Sequence, residues 1–215
     1  MLLLFDIEQD SVAEHDDWHT HEHMPERLGI PGFLRGTRWI AVDPGPRYCL
    51  LYEVAELTVL DSPVYRERLD HPTPSTSAMM RKYLGMRRAL CSVEARSGLG
   101  MGSSALVVRF APEIGREGRL DEWLATEIMP ELSQRPGVAT CCLLRNALAA
   151  RMTREQAIRG PDDTLHSALF VTGYDETIVA ELSRHDLAAE RFVAHGAATS
   201  GHAANAYRQV YALTA

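Results

Sequence analysis

The chain reads as an α+β protein: two tandem ferredoxin-like βαββαβ repeats packed sheet to sheet as a pseudo-dimeric α+β barrel. Three observations predict this. The sequence matches itself at an offset of 105 residues, a glycine-rich stretch separates the matching halves, and each half parses into the same order of strands and helices. At that offset Trp18, Glu22, Met24, Pro25, Glu26, Pro31 and Gly32 fall on Trp123, Glu127, Met129, Pro130, Glu131, Pro136 and Gly137, and Phe5 and Glu8 fall on Phe110 and Glu113 without a gap. The stretch from Ser97 to Ser103 is mostly glycine and serine, residues costly to order, and reads as a linker. The expected division is 1–96 for repeat 1, 97–103 for the linker and 104–215 for repeat 2.

Repeat 1 opens with an apolar strand over 2–8. Ser11-Val12-Ala13-Glu14 has capping-box spacing and starts a helix running to about Arg27, closed by Pro31-Gly32. Strands at 33–42 and 47–55 flank a turn at Asp43-Pro44-Gly45-Pro46, where the prolines and glycine stop either strand from continuing. A helical region over 61–84, interrupted near Pro72 and Pro74, precedes a strand near 87–95. Repeat 2 has strands near 104–111, 137–145, 164–172 and 205–213, helices near 119–133 and 175–195, and an extra stretch at 147–160 in its central hairpin. One such unit leaves the helix-free face of its sheet bare, and two copies in one chain cover those faces with each other.

Composition narrows the partners. With 46% hydrophobic residues the chain is folded, and a chain of 215 residues supports a sizeable core. A formal net charge of −7, with no dense Lys/Arg run, lacks the electrostatic footprint of nucleic-acid binding. No apolar run approaches a membrane span, and Asp6 stops Met1 to Phe5 from forming a secretory leader, so the expectation is a cytoplasmic protein with no membrane partner. Cys49, Cys91, Cys141 and Cys142 form no C-x-x-C pair and read as reduced core residues.

The two halves differ at one place. In the second helix Leu120, Trp123, Leu124 and Ile128 make one apolar stripe, whereas the matched residues in the first are His15, Trp18, His19 and His23. Four-residue spacing stacks the three imidazoles on one helix face. Buried polar rings cost free energy unless bonded, so the substitution points to a polar pocket between this helix and its sheet. The bland alternative is that the rings satisfy loops or line a wet helix edge. Pro25 and Pro130, at matched places, are expected to kink or end both helices.

The run His23-Met24-Pro25-Glu26-Arg27-Leu28, followed by Ile30-Pro31-Gly32-Phe33, resembles the EthD-like branch of the dimeric α+β barrel superfamily. A further run, Ser62-Pro63-Val64-Tyr65 through His71 to Thr76, is similar to one in uncharacterised bacterial members. The resemblance implies a pocket for a small organic molecule between helices and sheet, and it maps His23 onto the family histidine. Members of the superfamily include cofactor-independent monooxygenases, isomerases, cyclases and haem enzymes, so the reaction stays open.

The leading expectation is an enzyme without cofactor acting on a small cyclic or aromatic molecule. His23 would move a proton, Glu22 would orient it, and His19 would act as second acid/base or oxyanion donor. Trp18, Arg38 and Tyr52 would contact substrate, Trp18 as an apolar wall. Two other readings stand beside it. One is a metal or haem site on His15, His19 and His23, for which one straight helix is poor geometry, so no metal ligand is assigned. The other is a non-catalytic small-molecule binder. Pairing of two chains as a homodimer is left open.

Overall fold

The computed structural model describes residues 1–149 and 151–215. Repeat 1 runs β1 (Leu2–Ile7), then a helix made of α1 (Val12–Trp18), a π-turn (His19–His23) and α2 (Met24–Leu28). The hairpin β2 (Phe33–Ala41) and β3 (Tyr48–Val54) follows, with α3 (Pro63–Asp70), α4 (Pro74–Met80) and β4 (Tyr83–Gly98) after it. Repeat 2 runs β5 (Ser104–Phe110), α5 (Glu117–Trp123), a second π-turn (Leu124–Ile128), α6 (Met129–Gln134) and β6 (Val138–Leu148). It continues with α7 (Arg154–Arg159), β7 (Asp163–Thr164), β8 (Ser167–Gly173), α8 (Glu176–Glu181), α9 (Ala189–Ala194) and β9 (Ala203–Thr214).

Strand pairing follows the order β1-β3-β2-β9-β5-β8-β6-β4, and β4 returns to β1, closing an antiparallel eight-stranded barrel. Closure depends on the last strand of each repeat, which is longer than its sequence pattern predicts. β4 pairs with β1 at Leu2↔Ala89 and then with β6 from Leu90↔Leu148 to Gly98↔Thr140. β9 pairs with β5 up to Ser104↔Arg208 and continues along β2 to Arg35↔Thr214. Each repeat thereby covers the other's exposed edge, which would otherwise present a row of unpaired N–H and C=O groups. Ser97 and Gly98, expected in the linker, belong to β4.

Side chains alternate across each strand, so the barrel wall separates three cores. Inside lie Leu2, Leu4, Trp39, Cys49, Val107, Phe170 and Tyr207, contributed by both repeats. Outside, Tyr48, Leu50 and Tyr52 of β3 pack under the first helix with Phe5, Trp18 and Met24. The matching layer of repeat 2 contains Leu120, Trp123, Leu124, Ile128, Leu169 and Val171.

Two local expectations are corrected. Ser11 makes no side-chain cap bond: a 3₁₀ turn over Gln9–Ser11 precedes the helix, and Glu14 pairs with Lys82 instead of closing a box. Pro25 does not end its helix. The Met24 N–H bonds the His19 carbonyl five residues back, a single π-turn that accommodates the proline and lets α2 continue to Leu28. Repeat 2 repeats the device before Pro130. Among the described residues no helix is long and apolar enough to cross a membrane.

Candidate functional site

The π-turn fixes the direction of the imidazoles. Four residues overshoot an α-helical turn by about 40°, so three rings at this spacing would drift round a straight helix. A π-turn is wound more loosely and reverses the drift between His19 and His23. His15, His19 and His23 accordingly face the sheet at 0%, 0% and 8% exposure, with consecutive ring centroids 5.5 and 5.6 Å apart. The wet-edge alternative is thereby removed.

The three rings are held differently. His15 Nδ1 donates to Asp16 at 3.3 Å, and its Nε2 accepts from the Tyr83 hydroxyl at 3.2 Å. Asp16 also accepts from Tyr48 at 2.9 Å. His19 lies between Arg38 and Tyr52. A guanidinium has no acceptor, so Arg38 Nη1 donates to His19 Nδ1 (3.3 Å); the ring proton therefore sits on Nε2 and is donated to the Tyr52 oxygen (3.2 Å). That leaves the Tyr52 O–H as an outward donor at the end of an Arg38-His19-Tyr52 chain. His23 packs on Trp18 with the rings tilted and their centroids 4.4 Å apart, and its Nδ1 is buried with no hydrogen-bond partner among the described residues.

Burial, together with the neighbouring imidazoles and the Arg38 and Arg27 guanidiniums, holds His19 and His23 well below the ordinary 6.5, so both are neutral at physiological pH. Burial lowers His15 as well, against the pull of Asp16. It raises the Tyr52 phenol above its ordinary value, keeping the hydroxyl a donor.

His23 and Tyr52 line a small hollow of about 40 Å³, together with Phe5, Tyr65, Tyr83 and Met86. Its charged members are Arg27, Arg88, Arg159 and Glu155. Arg27, only 2% exposed, bonds the Glu155 carboxylate and reaches Glu26 at 3.3 Å. Burial raises the Glu155 carboxyl above its ordinary value, with Arg27 pulling the other way. Glu155 and Arg159 come from α7, in the stretch inserted into the repeat 2 hairpin. Repeat 2 thus supplies two charged groups to the repeat 1 hollow. An insertion without a twin was the only signal in the sequence, and nothing local showed which way it folds.

Three expected contacts are not made. Glu22 accepts from Thr73, the cap of α4, and not from His23, because consecutive helix residues point in different directions. Arg38 does not face the hollow: it bonds the Asp16 carbonyl (3.0 Å), Thr20 (3.0 Å) and His19, which makes it a positioning residue. His19 reaches the hollow only through Tyr52. Trp18 and Tyr52 lie at His23 and at the hollow wall, respectively. Among the described residues no group of three or more His, Cys, Asp or Glu side chains is arranged to hold a metal, and the nitrogens of His15 and His19 are already bonded.

Every member of the donor chain has an aliphatic twin. Gly36 pairs with Tyr52 as Cys141 pairs with Val171, and Arg38 pairs with Leu50 as Leu143 pairs with Leu169. Arg38, His19 and Tyr52 therefore correspond to Leu143, Leu124 and Val171. A larger cavity of about 200 Å³, lined by Leu34, Val93, Met101 and Phe170, shares Met1 and Tyr52 with the hollow and has no histidine among its described lining residues. The cysteines are free, and burial pushes all four thiols up.

The architecture is that of the pseudo-dimeric α+β barrels. An anthrone oxidase-like protein superposes with a TM-score of 0.69 at 13% identity, over 99% of this chain and 91% of that one. A putative monooxygenase from Fusobacterium nucleatum gives 0.62 at 8% identity, over 99% and 92% of the two chains. One from Lactobacillus acidophilus gives 0.59 at 6% identity, over 99% and 94%. At these identities the likeness is one of fold. No family model matches the chain, and no curated protein is similar to it in sequence.

Proposed function

We propose that this chain is an EthD-like enzyme without organic cofactor, acting on a small cyclic or aromatic ketone or phenol by proton transfer. His23 is the general base, since a neutral imidazole with an unpartnered nitrogen can accept a proton from carbon or oxygen. Tyr52, backed by His19 and Arg38, donates to the oxygen on which negative charge develops. The product of that step is an enolate or phenolate. Such an anion is the common start of isomerisation, cyclisation and cofactor-free oxygenation, and the names of the structural neighbours favour the last.

One observation carries the reading: an unpartnered histidine and a polarised phenol meet at one buried hollow, and the positions matched to His19, His23, Arg38 and Tyr52 are the aliphatic Leu124, Ile128, Leu143 and Val171. Solvent-deuterium exchange at the ring methylene of anthrone, followed by NMR, tests it, with oxygen uptake recorded in parallel. His23→Ile, the twin's residue, should slow exchange by on the order of 10²–10⁴. An unchanged exchange rate in that variant would overturn the assignment. Tight binding of the ketone without exchange in the wild-type protein would instead support the non-catalytic binder.

A further inference from the structure

The hollow beside His23 has about 40 Å³, room for a water or two, whereas a benzene-sized ligand needs on the order of 150 Å³. A cavity of about 540 Å³ lies next to it, lined in part by Leu60, Asp61 and Thr153. The two share Tyr65, Leu69 and Arg88 as walls, so a single layer of side chains separates them. The barrier is completed by the segment around α7, whose Thr153 lines the wide cavity and whose Glu155 lines the narrow one.

That segment is attached to repeat 1 by Ile158, which packs on the repeat 1 core, and by a set of polar contacts. Glu155 bonds Arg27, Gln156 accepts from Arg88 at 3.1 Å, Asp162 lies 3.0 Å from Arg88, and the Arg154 amide donates to Asp70 at 3.2 Å. Buried ion pairs add little net stability, because the attraction mostly offsets the loss of hydration. Another anion that satisfies Arg27 can therefore replace Glu155 at small cost. The His23 Nδ1 at the same hollow still lacks a partner.

We propose that Glu155 stands in the place of the substrate's acidic group: a planar cyclic organic acid enters from the wide cavity, puts its carboxylate or phenolate oxygen on Arg27, and displaces α7. Resting on the His23 reading, this names its substrate class and its gate. With the acid on Arg27, the ring lies against Tyr65, and its far edge is presented to His23 and Tyr52, which line the same hollow. No bond is made or broken in the exchange of one anion for another.

The probes are 2-naphthoate, 2-naphthol and the uncharged 2-naphthamide, measured by calorimetry on the full chain. Glu155→Gln removes the competing charge and should tighten 2-naphthoate at least tenfold while leaving 2-naphthamide within twofold. Stronger tightening of 2-naphthol would assign the phenolate as the recognised group, and stronger tightening of 2-naphthoate the carboxylate. Arg27→Met should abolish the preference for the acid over the amide. Because Glu155→Gln leaves Arg27 short of a counter-charge, the wild-type protein supplies a second measurement: saturating 2-naphthoate should speed amide hydrogen exchange in 154–159. Equal gains for acid and amide, or unchanged exchange in 154–159, would overturn the displacement. The anthrone exchange assay reads His23 independently, so each claim can fail without the other.

Discussion

Acid should destabilise this protein through its buried histidines, and the size of the effect follows from their burial. In the unfolded chain each histidine takes up a proton near pH 6.5. In the fold, His19 and His23 stay neutral to well below that value, mainly because burial penalises the imidazolium. Above pH 6.5 both states carry neutral rings and the groups contribute nothing. Below it the unfolded state binds more protons, so stability falls as pH falls. Each proton is worth about 1.36 kcal/mol per pH unit, giving a limiting slope near 3 kcal/mol per unit for the two rings. His15, lowered by burial against the pull of Asp16, adds to the upper part of the range. Glu155 acts in the opposite sense, since its raised carboxyl takes up a proton in the fold first. A domain is commonly stable by only about 5–15 kcal/mol, so each pH unit below 6.5 removes a sizeable share. Urea midpoints at pH 7.5, 6.5 and 5.5 measure the slope, with His15→Leu/His19→Leu/His23→Ile as the reference carrying the twin residues. The variant should lose most of the dependence. Equal slopes, or ring resonances of His19 or His23 titrating at 6.5 by NMR, would refute the reasoning.

Tyr52→Phe removes the outward donor and leaves the His19 Nε2–H without an acceptor, at a cost of about 1–3 kcal/mol in urea unfolding. Anthrone exchange should slow by on the order of 10²–10³ in the same variant, and an unaltered rate would remove Tyr52 from the mechanism. Gly102→Ala should lower the melting temperature, since a Cβ there would sit 1.9 Å from the Gly173 carbonyl oxygen and backbone must move. Gly118→Ala, in α5 with nothing within 4 Å, should raise stability by about 0.5–1 kcal/mol, and calorimetry of the pair checks both signs.

Much of the fold was legible because duplication repeats each local signal. The succession of strands and helices in each repeat follows from patterns of two and 3.6 residues along the chain, and the match to the apolar stripe of the other repeat turned His15, His19 and His23 inward, while the π-turn that aligns them was not legible. The full lengths of β4 and β9 were not legible. Their far halves pair with the other repeat, and a strand that changes partners carries no turn or composition shift at the crossing. The capping box failed because Ser11 is buried in a 3₁₀ turn while Glu14 reaches Lys82.

The sequence by itself determined that one repeat places imidazoles where the other places leucine and isoleucine, since the register of the duplication compares equivalent positions directly. Only the tertiary structure decided what those rings do. Arg38 turns to His19 and not to the hollow, Glu22 turns to Thr73, and Glu155 arrives from 128 residues along the chain to meet Arg27. Side-chain partners across such separations depend on how whole layers close on one another, and no periodicity along the chain encodes that closure.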